Sequence, residues 1–239
     1  MIDNELWPNL WRKYLDQYLS KPPRTGYWVD AHFGGNASSF LELGCGSGRD
    51  AMYLAKRGHR VVGSDLDDVT LTELETRFSN ETLRFCMQDA SNLTFDDNSF
   101  DVVYHNGLWV LFEQDELIIS MLKEQLRVAS KYAVILVHNQ ENHALRRQFK
   151  KRADAGDQLY DIRFFTRRSL VDLIESSGLT YRSLKLMKFG GRFDAFYQKT
   201  AIKKVIPNVV WPVRKRLVPR LYQAESWART ERVACVLEL

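Results

Sequence analysis

A glycine-rich stretch and three carboxylates are the parts of this sequence whose residue types and spacing predict ligand binding. Within residues 44–48, glycines alternate with single residues, and glycines let a backbone loop approach a ligand closely. Glu42 lies just before this stretch, while Asp65 and Asp89 each follow a short apolar segment. A carboxylate at the end of a strand can accept two hydrogen bonds from a ribose diol. The pattern therefore predicts a nucleoside-binding site made of a glycine loop and acidic side chains.

Two kinds of cofactor are compatible with this glycine turn. Gly46, Gly48 and Ala51 also satisfy the dinucleotide fingerprint Gly-x-Gly-x-x-Gly/Ala, which keeps an NAD(P)-dependent short oxidoreductase open as an alternative. Tyr181 and Lys185 match the Tyr-x-x-x-Lys pair of such enzymes, but they fall in a predicted strand, where residues four apart are separated by ~13 Å. Because the three acids disfavour a pyrophosphate, a positively charged nucleoside without phosphates is the preferred interpretation.

The elements that must position these residues alternate between strand and helix. An amphipathic helix near the N-terminus is predicted to end before Pro22, and later helices are predicted at residues 49–57, 69–78, 114–128 and 167–177. Predicted strands cover residues 39–43, 60–65, 83–88, 100–104, 132–137, 180–188 and 231–239. Apolar strands that alternate with helices are typical of an α/β fold with a doubly wound, mostly parallel sheet.

Composition limits the other classes of protein. The chain of 239 residues is long enough for one domain with a full core. Cys45, Cys86 and Cys235 are odd in number and lie in apolar contexts, so we expect no disulfide framework, no metal site and a cytoplasmic location. The longest uninterrupted apolar run, residues 132–137, is far shorter than the ~18 residues of a membrane span.

Residues 40–66, FLELGCGSGRDAMYLAKRGHRVVGSDL, resemble motif I and the following acidic strand end of class I S-adenosylmethionine-dependent methyltransferases. The continuation Gly-Arg-Asp-Ala-x-Tyr-Leu-Ala is similar to the tellurite-resistance and thiopurine-type branches. Residues 88–90 and 99–108 resemble the adenine-contacting strand end and the motif IV region. The resemblance covers residues 38–138 well and 166–188 loosely. It implies a Rossmann-like, seven-stranded fold and a methyltransferase that uses S-adenosylmethionine.

The resemblance also implies one cofactor site, built from the glycine loop and the ends of the first four strands. Its predicted members are Glu42, Gly44, Cys45, Gly46, Gly48, Asp65, Leu66, Asp89, Ala90 and Asn106. By resemblance, the glycines wrap the methionine part of the cofactor, with Glu42 near its amino group, and Asp65 holds the ribose hydroxyls. Asp89 and the backbone of Ala90 hold the adenine, and Asn106, or the carbonyl of His105, faces the sulfonium.

The chemistry then requires mainly that an acceptor lone pair is aligned with the methyl–sulfur axis, and orientation of this kind supplies ~7–11 kcal/mol. A general base is needed only where the acceptor loses a proton, and His105 and His138, near predicted strand ends, are the candidates. Residues 105–108 read His-Asn-Gly-Leu in place of the Pro-Pro motif of nucleic-acid amino-methyltransferases. This departure disfavours nucleic acid and favours a small-molecule, lipid-linked or glycan-linked acceptor.

We divide the single domain, residues 1–239, into an N-terminal helical lid (1–37), a core (38–189), a basic insertion (190–230) and a final strand (231–239). Residues 199–232 contain nine Lys or Arg against two Asp or Glu, so this segment accounts for the net charge of +4. Its mixture of apolar and basic residues predicts either peripheral contact of residues 199–222 with an anionic membrane or a helical cover packed on the core. Three prolines are expected to prevent one long helix there. A non-catalytic binding module with the same fold is a further alternative.

Overall fold

One seven-stranded sheet organises the structure, a computed structural model that describes residues 6–197 and 211–239. The strands lie in the order β3-β2-β1-β4-β5-β7-β6. Strands β1 to β5 pair in parallel, and β7 runs antiparallel to both of its neighbours. The predicted Rossmann-like, mostly parallel sheet is therefore confirmed. The strands are β1 (Ser39–Leu43), β2 (Arg60–Asp65), β3 (Leu83–Met87), β4 (Phe100–Asn106), β5 (Ala129–His138), β6 (Ser183–Phe189) and β7 (Arg232–Glu238).

Helices flank this sheet, and two of them have no counterpart in the sequence prediction. Most of α2 is buried, and none of α6 is. Helix α2 therefore lacks the one-sided apolar stripe by which an amphipathic helix is found in a sequence, and the stripe of α6 is limited to the half-buried Leu145, Phe149 and Ala153. The described helices are α1 (Leu6–Leu19), α2 (Arg24–Phe33), α3 (Arg49–Lys56), α4 (Asp68–Phe78), α5 (Asp115–Val128), α6 (His143–Ala153), α7 (Arg167–Ser176) and α8 (Trp211–Leu221).

Strand β5 shows why the sheet must be covered on both faces. Its side chains from Ala133 to His138 are all buried. Val134 and Leu136 belong to the core cluster that also contains α2 and α3, whereas Ile135 and Val137 belong to the cluster that contains α5 and α7. Successive side chains of a strand point to opposite faces, so this continuous apolar run links the two layers of helices.

The chain between β6 and β7 packs on the core where the structure describes it. Helix α8 contacts α2, and Val218 and Tyr222 are buried. The described helix covers Trp211–Leu221 and continues for two residues beyond Pro219. That prolines prevent one long helix across the whole segment stays a prediction. Lys215 Nζ lies 5.4 Å from the ring centroid of Tyr27 and 5.5 Å from that of Tyr53.

These contacts favour the helical cover for the part of the basic segment that the structure describes. Residues 198–210 of the insertion lie outside the described ranges. Membrane contact and the four-part division of the domain stay predictions. Within residues 6–197 and 211–239, no helix is both long enough and apolar enough to cross a bilayer.

The order of the strands places the candidate site. From β1 the chain continues outward through β2 and β3 and then returns to the opposite side of β1 as β4. Ligands of open α/β sheets bind beyond the carboxyl ends of the strands at such a reversal. The glycine loop follows β1 at this edge, and Asp65 and Asn106 are the last residues of β2 and β4.

Candidate functional site

The glycine loop, residues 44–48, turns the chain from β1 into α3. Gly44, Gly46 and Gly48 have φ values of 62°, 51° and 65°, in the left-handed region that favours glycine. At Gly48 there is also no room for a side chain, because an added Cβ would stand 2.5 Å from Cε1 of Phe85. Gly44 is exposed at the edge of the sheet, whereas residues 45–48 are buried, so the loop presents bare backbone to a ligand at Gly44.

Asp65 holds this loop in place. Its Oδ2 accepts a hydrogen bond from the Gly46 amide at 2.8 Å, and its Oδ1 accepts one from the Leu66 amide at 2.8 Å. The Cys45 amide donates to the Ser64 carbonyl at 2.8 Å, which adds a second bond between loop and strand. Burial raises the pKa of Asp65, and the backbone amides oppose that shift. Each carboxylate oxygen has more than one lone pair, so Asp65 can bind the loop and a diol together.

Glu42 lies beneath the loop instead of lining its surface. The side chain is buried, and Oε2 accepts hydrogen bonds from the Ala51 amide and the Tyr104 hydroxyl, both at 3.0 Å. Burial, followed by the charge of Asp50, raises the pKa of Glu42 well above its usual value. The carboxyl thus joins β1, β4 and the first turn of α3. Direct contact of Glu42 with the amino group of a cofactor, which the resemblance implies, stays a prediction.

The ends of β2 and β3 combine an exposed carboxylate with exposed apolar side chains. Asp89 follows β3, and its Oδ1 accepts hydrogen bonds from the Ser91 amide and hydroxyl at 2.8 and 2.7 Å. Leu66 is 64% exposed and Met87 is 58% exposed. Large apolar side chains that are left exposed side by side commonly mark a ligand surface. Sequence reasoning included Leu66, Asp89 and Ala90, and it missed Met87.

The end of β4 carries polar atoms without partners. His105 is fully buried beside Trp109, with the ring centroids 5.1 Å apart. Neither of its ring nitrogens, nor the buried Oδ1 of Asn106, has a hydrogen-bond partner among the described residues. Burial, together with the nearby charge of Arg232, lowers the pKa of His105 to about 3. The imidazole is therefore neutral at pH 7.

The second predicted base, His138, is also a buried imidazole. It ends β5 and packs against Phe149 and Phe164, with ring centroids 5.1 and 5.5 Å away. Burial lowers its pKa well below the usual value. An imidazole of low pKa is a weak proton acceptor at neutral pH. The catalytic roles of His105 and His138 stay predictions.

A network of charged side chains at the same edge was absent from the predicted site. Arg24 Nη2 donates to Asp194 Oδ2 at 2.6 Å and to Glu231 Oε2 at 2.7 Å. Glu231 is followed by Arg232, the first residue of β7. Asp194 lies 170 positions from Arg24 in the chain, and Glu231 lies 207 positions from it. The antiparallel return of β7 brings them together, and no local sequence pattern signals it.

Comparison with known proteins identifies the type of domain. Residues 40–131 match the family described as "Methyltransferase domain". The chain is 36% identical over 93 residues to a cypemycin N-terminal methyltransferase from a Streptomyces species. The aligned residues cover 38% of this chain and 38% of that protein. It is also 42% identical over 65 residues to a phthiotriol/phenolphthiotriol dimycocerosates methyltransferase from Mycobacterium tuberculosis. Here the aligned residues cover 26% of this chain and 24% of that protein. The matched region thus spans less than half the length of these relatives.

The whole described fold also has solved counterparts. One is a 1,6-didemethyltoxoflavin-N1-methyltransferase from Burkholderia thailandensis, solved with 1,6-didemethyltoxoflavin and S-adenosylhomocysteine. The TM-score is 0.59 at 16% identity, over 97% of this chain and 84% of that one. At this identity the likeness shows the shared fold. Together with the family match, it supports S-adenosylmethionine as the cofactor instead of a nicotinamide dinucleotide.

The crowding at Gly48 predicts a loss of stability on substitution. Gly48→Ala is expected to lower the free energy of unfolding by about 1–3 kcal/mol more than Gly178→Ala. Gly178 has a φ of 67°, close to the 65° of Gly48, but an added Cβ there meets nothing within 4 Å. The backbone strain therefore cancels in the comparison, which leaves the contact with Phe85. Urea unfolding of both variants measures the difference, and equal losses would contradict the packing at the loop.

The burial of Glu42 predicts a pH-dependent stability. Its pKa in the folded protein is raised above the usual 4.5, so ionisation of Glu42 makes the folded state less stable as pH rises above that value. Glu42→Gln keeps an oxygen acceptor for Ala51 and Tyr104 but does not ionise. The stability of Glu42→Gln relative to wild type is expected to increase from pH 5 to pH 8, by about 1.4 kcal/mol for each unit of pKa shift.

Urea unfolding at several pH values tests this expectation. Glu116→Gln, at an exposed position in the first turn of α5, is the control for replacement of a surface carboxylate. A stability difference between Glu42→Gln and wild type that stays constant across the pH range would show that Glu42 is not held in an unfavourable environment for its charge.

Proposed function

We propose that this chain, whose residues 40–131 match a methyltransferase domain, uses S-adenosylmethionine to transfer a methyl group to a small-molecule, lipid-linked or glycan-linked acceptor. The observation that carries the proposal is the position of Asp65, at the end of β2 and bonded to the Gly46 amide at 2.8 Å. It joins a diol-binding carboxylate to a bare backbone loop. The names of a phthiotriol/phenolphthiotriol dimycocerosates methyltransferase and a 1,6-didemethyltoxoflavin-N1-methyltransferase among the similar proteins support lipid-like and small-molecule acceptors.

The residues at the sheet edge fit each part of the cofactor. The exposed backbone at Gly44, the first left-handed glycine of the loop, offers a surface for the methionine part that carries no side chain. Asp65 accepts hydrogen bonds from the ribose hydroxyls. Leu66 and Met87 offer exposed apolar surface for the adenine, and Asp89 and the backbone of Ala90 lie beside them to recognise its edge. Glu42 acts through the loop and α3, whose positions it fixes.

When bound, the cofactor supplies an activated methyl group, so the protein's own residues have to orient the acceptor and exclude water. Asn106 offers an unpartnered carboxamide oxygen at the end of β4, where it can accept a hydrogen bond from an acceptor amine or hydroxyl. His105 and His138 remain the candidate bases. Their lowered pKa values keep both rings neutral, so they are better suited to accept a hydrogen bond than to remove a proton from a weak acid.

Removal of the Asp65 carboxylate is expected to weaken cofactor binding. Asp65→Ala eliminates charge-assisted hydrogen bonds to the ribose and loosens the loop, which should raise the Kd for S-adenosylhomocysteine about ten- to a hundredfold. Isothermal titration measures this change. Asp68→Ala removes an exposed carboxylate three residues further on and should bind like wild type. Asp65→Asn keeps the side-chain volume, so it is the second variant that separates loss of cofactor binding from loss of folding. Wild type that releases no heat with millimolar cofactor would end the proposal.

Methyl transfer itself is tested with S-adenosylmethionine labelled in the methyl group and a fractionated cell extract. We expect wild type, but not Asp65→Ala, to move label into a small-molecule, lipid or glycan fraction. Label in RNA or protein would contradict the proposed acceptor class. Cofactor binding without transfer to any fraction would instead indicate a non-catalytic binding module.

A further inference from the structure

The guanidinium of Arg232 is buried and incompletely paired. Its side chain is 15% exposed, and its Nε and Nη1 are buried without a hydrogen bond to any residue in the described part of the chain. Buried polar groups are nearly always hydrogen-bonded, because an unpaired one has lost its contacts with water. The described part of the chain therefore does not supply all the oxygen acceptors that the Arg232 guanidinium needs.

The position of Arg232 indicates where that acceptor would come from. In the sheet its Cα pairs with that of His138, the last residue of β5. Its Nη1 lies against the turn after β4, since a Cβ on Gly107 would stand 2.6 Å from this atom. Gly107 has a φ of 85°, and its amide donates to the Leu136 carbonyl at 2.8 Å. The guanidinium thus stands beyond the carboxyl ends of β4 and β5, on the opposite side of β1 from Asp65.

Nearby carboxylates do not complete the pairing of Arg232. Glu231 Oε1 lies 3.5 Å from Arg232 Nε, which is too long for a good hydrogen bond. The other oxygen of Glu231 and one oxygen of Asp194 are both bonded to Arg24. Burial lowers the pKa of Arg232, and the positive charge of Arg24 opposes the favourable effect of Glu231. The charge of Arg232 is consequently only partly compensated.

We propose that the methyl acceptor carries a carboxylate, and that the incompletely paired guanidinium of Arg232 binds it beside the turn after β4. This inference rests on the proposed function and names its substrate class. A guanidinium has donors only, and their fork geometry matches a carboxylate. Glu231, 3.5 Å away, would repel a second negative charge, so a monoanion fits this site better than a phosphate dianion. An acceptor with a neutral oxygen would leave the charge of Arg232 partly unpaired.

Binding of matched small probes tests this assignment. The full-length protein, saturated with S-adenosylhomocysteine, is titrated with benzoate, with its neutral analogue benzamide and with phenylphosphonate. We expect saturable binding of benzoate, and binding of benzamide that is weaker by about tenfold or more. Equal binding of benzoate and benzamide, or no saturable binding of benzoate, would overturn the inference. Preferred binding of phenylphosphonate would overturn it too, because the site would then select a phosphoryl group.

Substitution of Arg232 separates recognition from folding. Arg232→Met keeps an apolar stem without the charge and should weaken benzoate binding about ten- to a hundredfold. Arg232→Lys keeps the charge without the fork and should recover only part of the loss. Arg229→Met, at an exposed position just before β7, is the matched control and should bind benzoate like wild type. Unchanged benzoate binding by Arg232→Met would contradict the proposal.

Affinity for S-adenosylhomocysteine, measured on the same proteins, keeps this inference distinct from the proposed function. Arg232→Met should retain that affinity, because Arg232 lies beyond β4 and β5 and not at the glycine loop, and this also shows that the variant is folded. If wild type binds the cofactor but not benzoate, the carboxylate assignment fails and the methyltransferase proposal stands. If wild type binds neither, both fail.

Discussion

The hydrogen bonds from the Gly46 and Leu66 amides to the Asp65 carboxylate are the interaction on which the rest of the site depends. They fix a loop of left-handed glycines against β2, and Glu42 supports the same loop from below through Ala51. A backbone loop without such partners would lose its shape, since glycine is the most conformationally free residue. The arrangement gives the carboxyl edge of the sheet a preformed surface on which a nucleoside can bind.

The edge of the sheet has two halves of different character. On the side of β2 and β3, exposed leucine and methionine side chains and an exposed aspartate flank the loop. On the side of β4, β5 and β7, buried histidines and a partly paired arginine surround the turn at Gly107. The first half is suited to a cofactor that is held by its ribose and adenine. The second half has the unpaired polar atoms that an acceptor has to satisfy.

Local patterns predicted most of the secondary structure. Apolar periodicity located five of the eight described helices, and Thr166 caps α7 in a reciprocal pair with Ser169. Helix α2 is mostly buried, so it has no polar side to alternate with an apolar one. Helix α6 has an apolar side of only three half-buried residues, at positions 145, 149 and 153, which is a weak signal in the sequence. Pro219 lies within α8, where packing of that helix on α2 outweighs the local preference against proline.

The sequence by itself determined the individual strands, the glycine loop and the carboxylate at the end of β2, because each depends on neighbouring residues whose spacing can be counted. Tertiary structure alone decided that Glu42 is a buried support, that Met87 lies exposed beside Leu66, and that Arg232 reaches the turn after β4. Those facts depend on contacts between segments far apart in the chain. The antiparallel pairing of β7 with β5 creates the last of them, and hydrophobic pattern and residue type contain no information on which distant strand will be the partner.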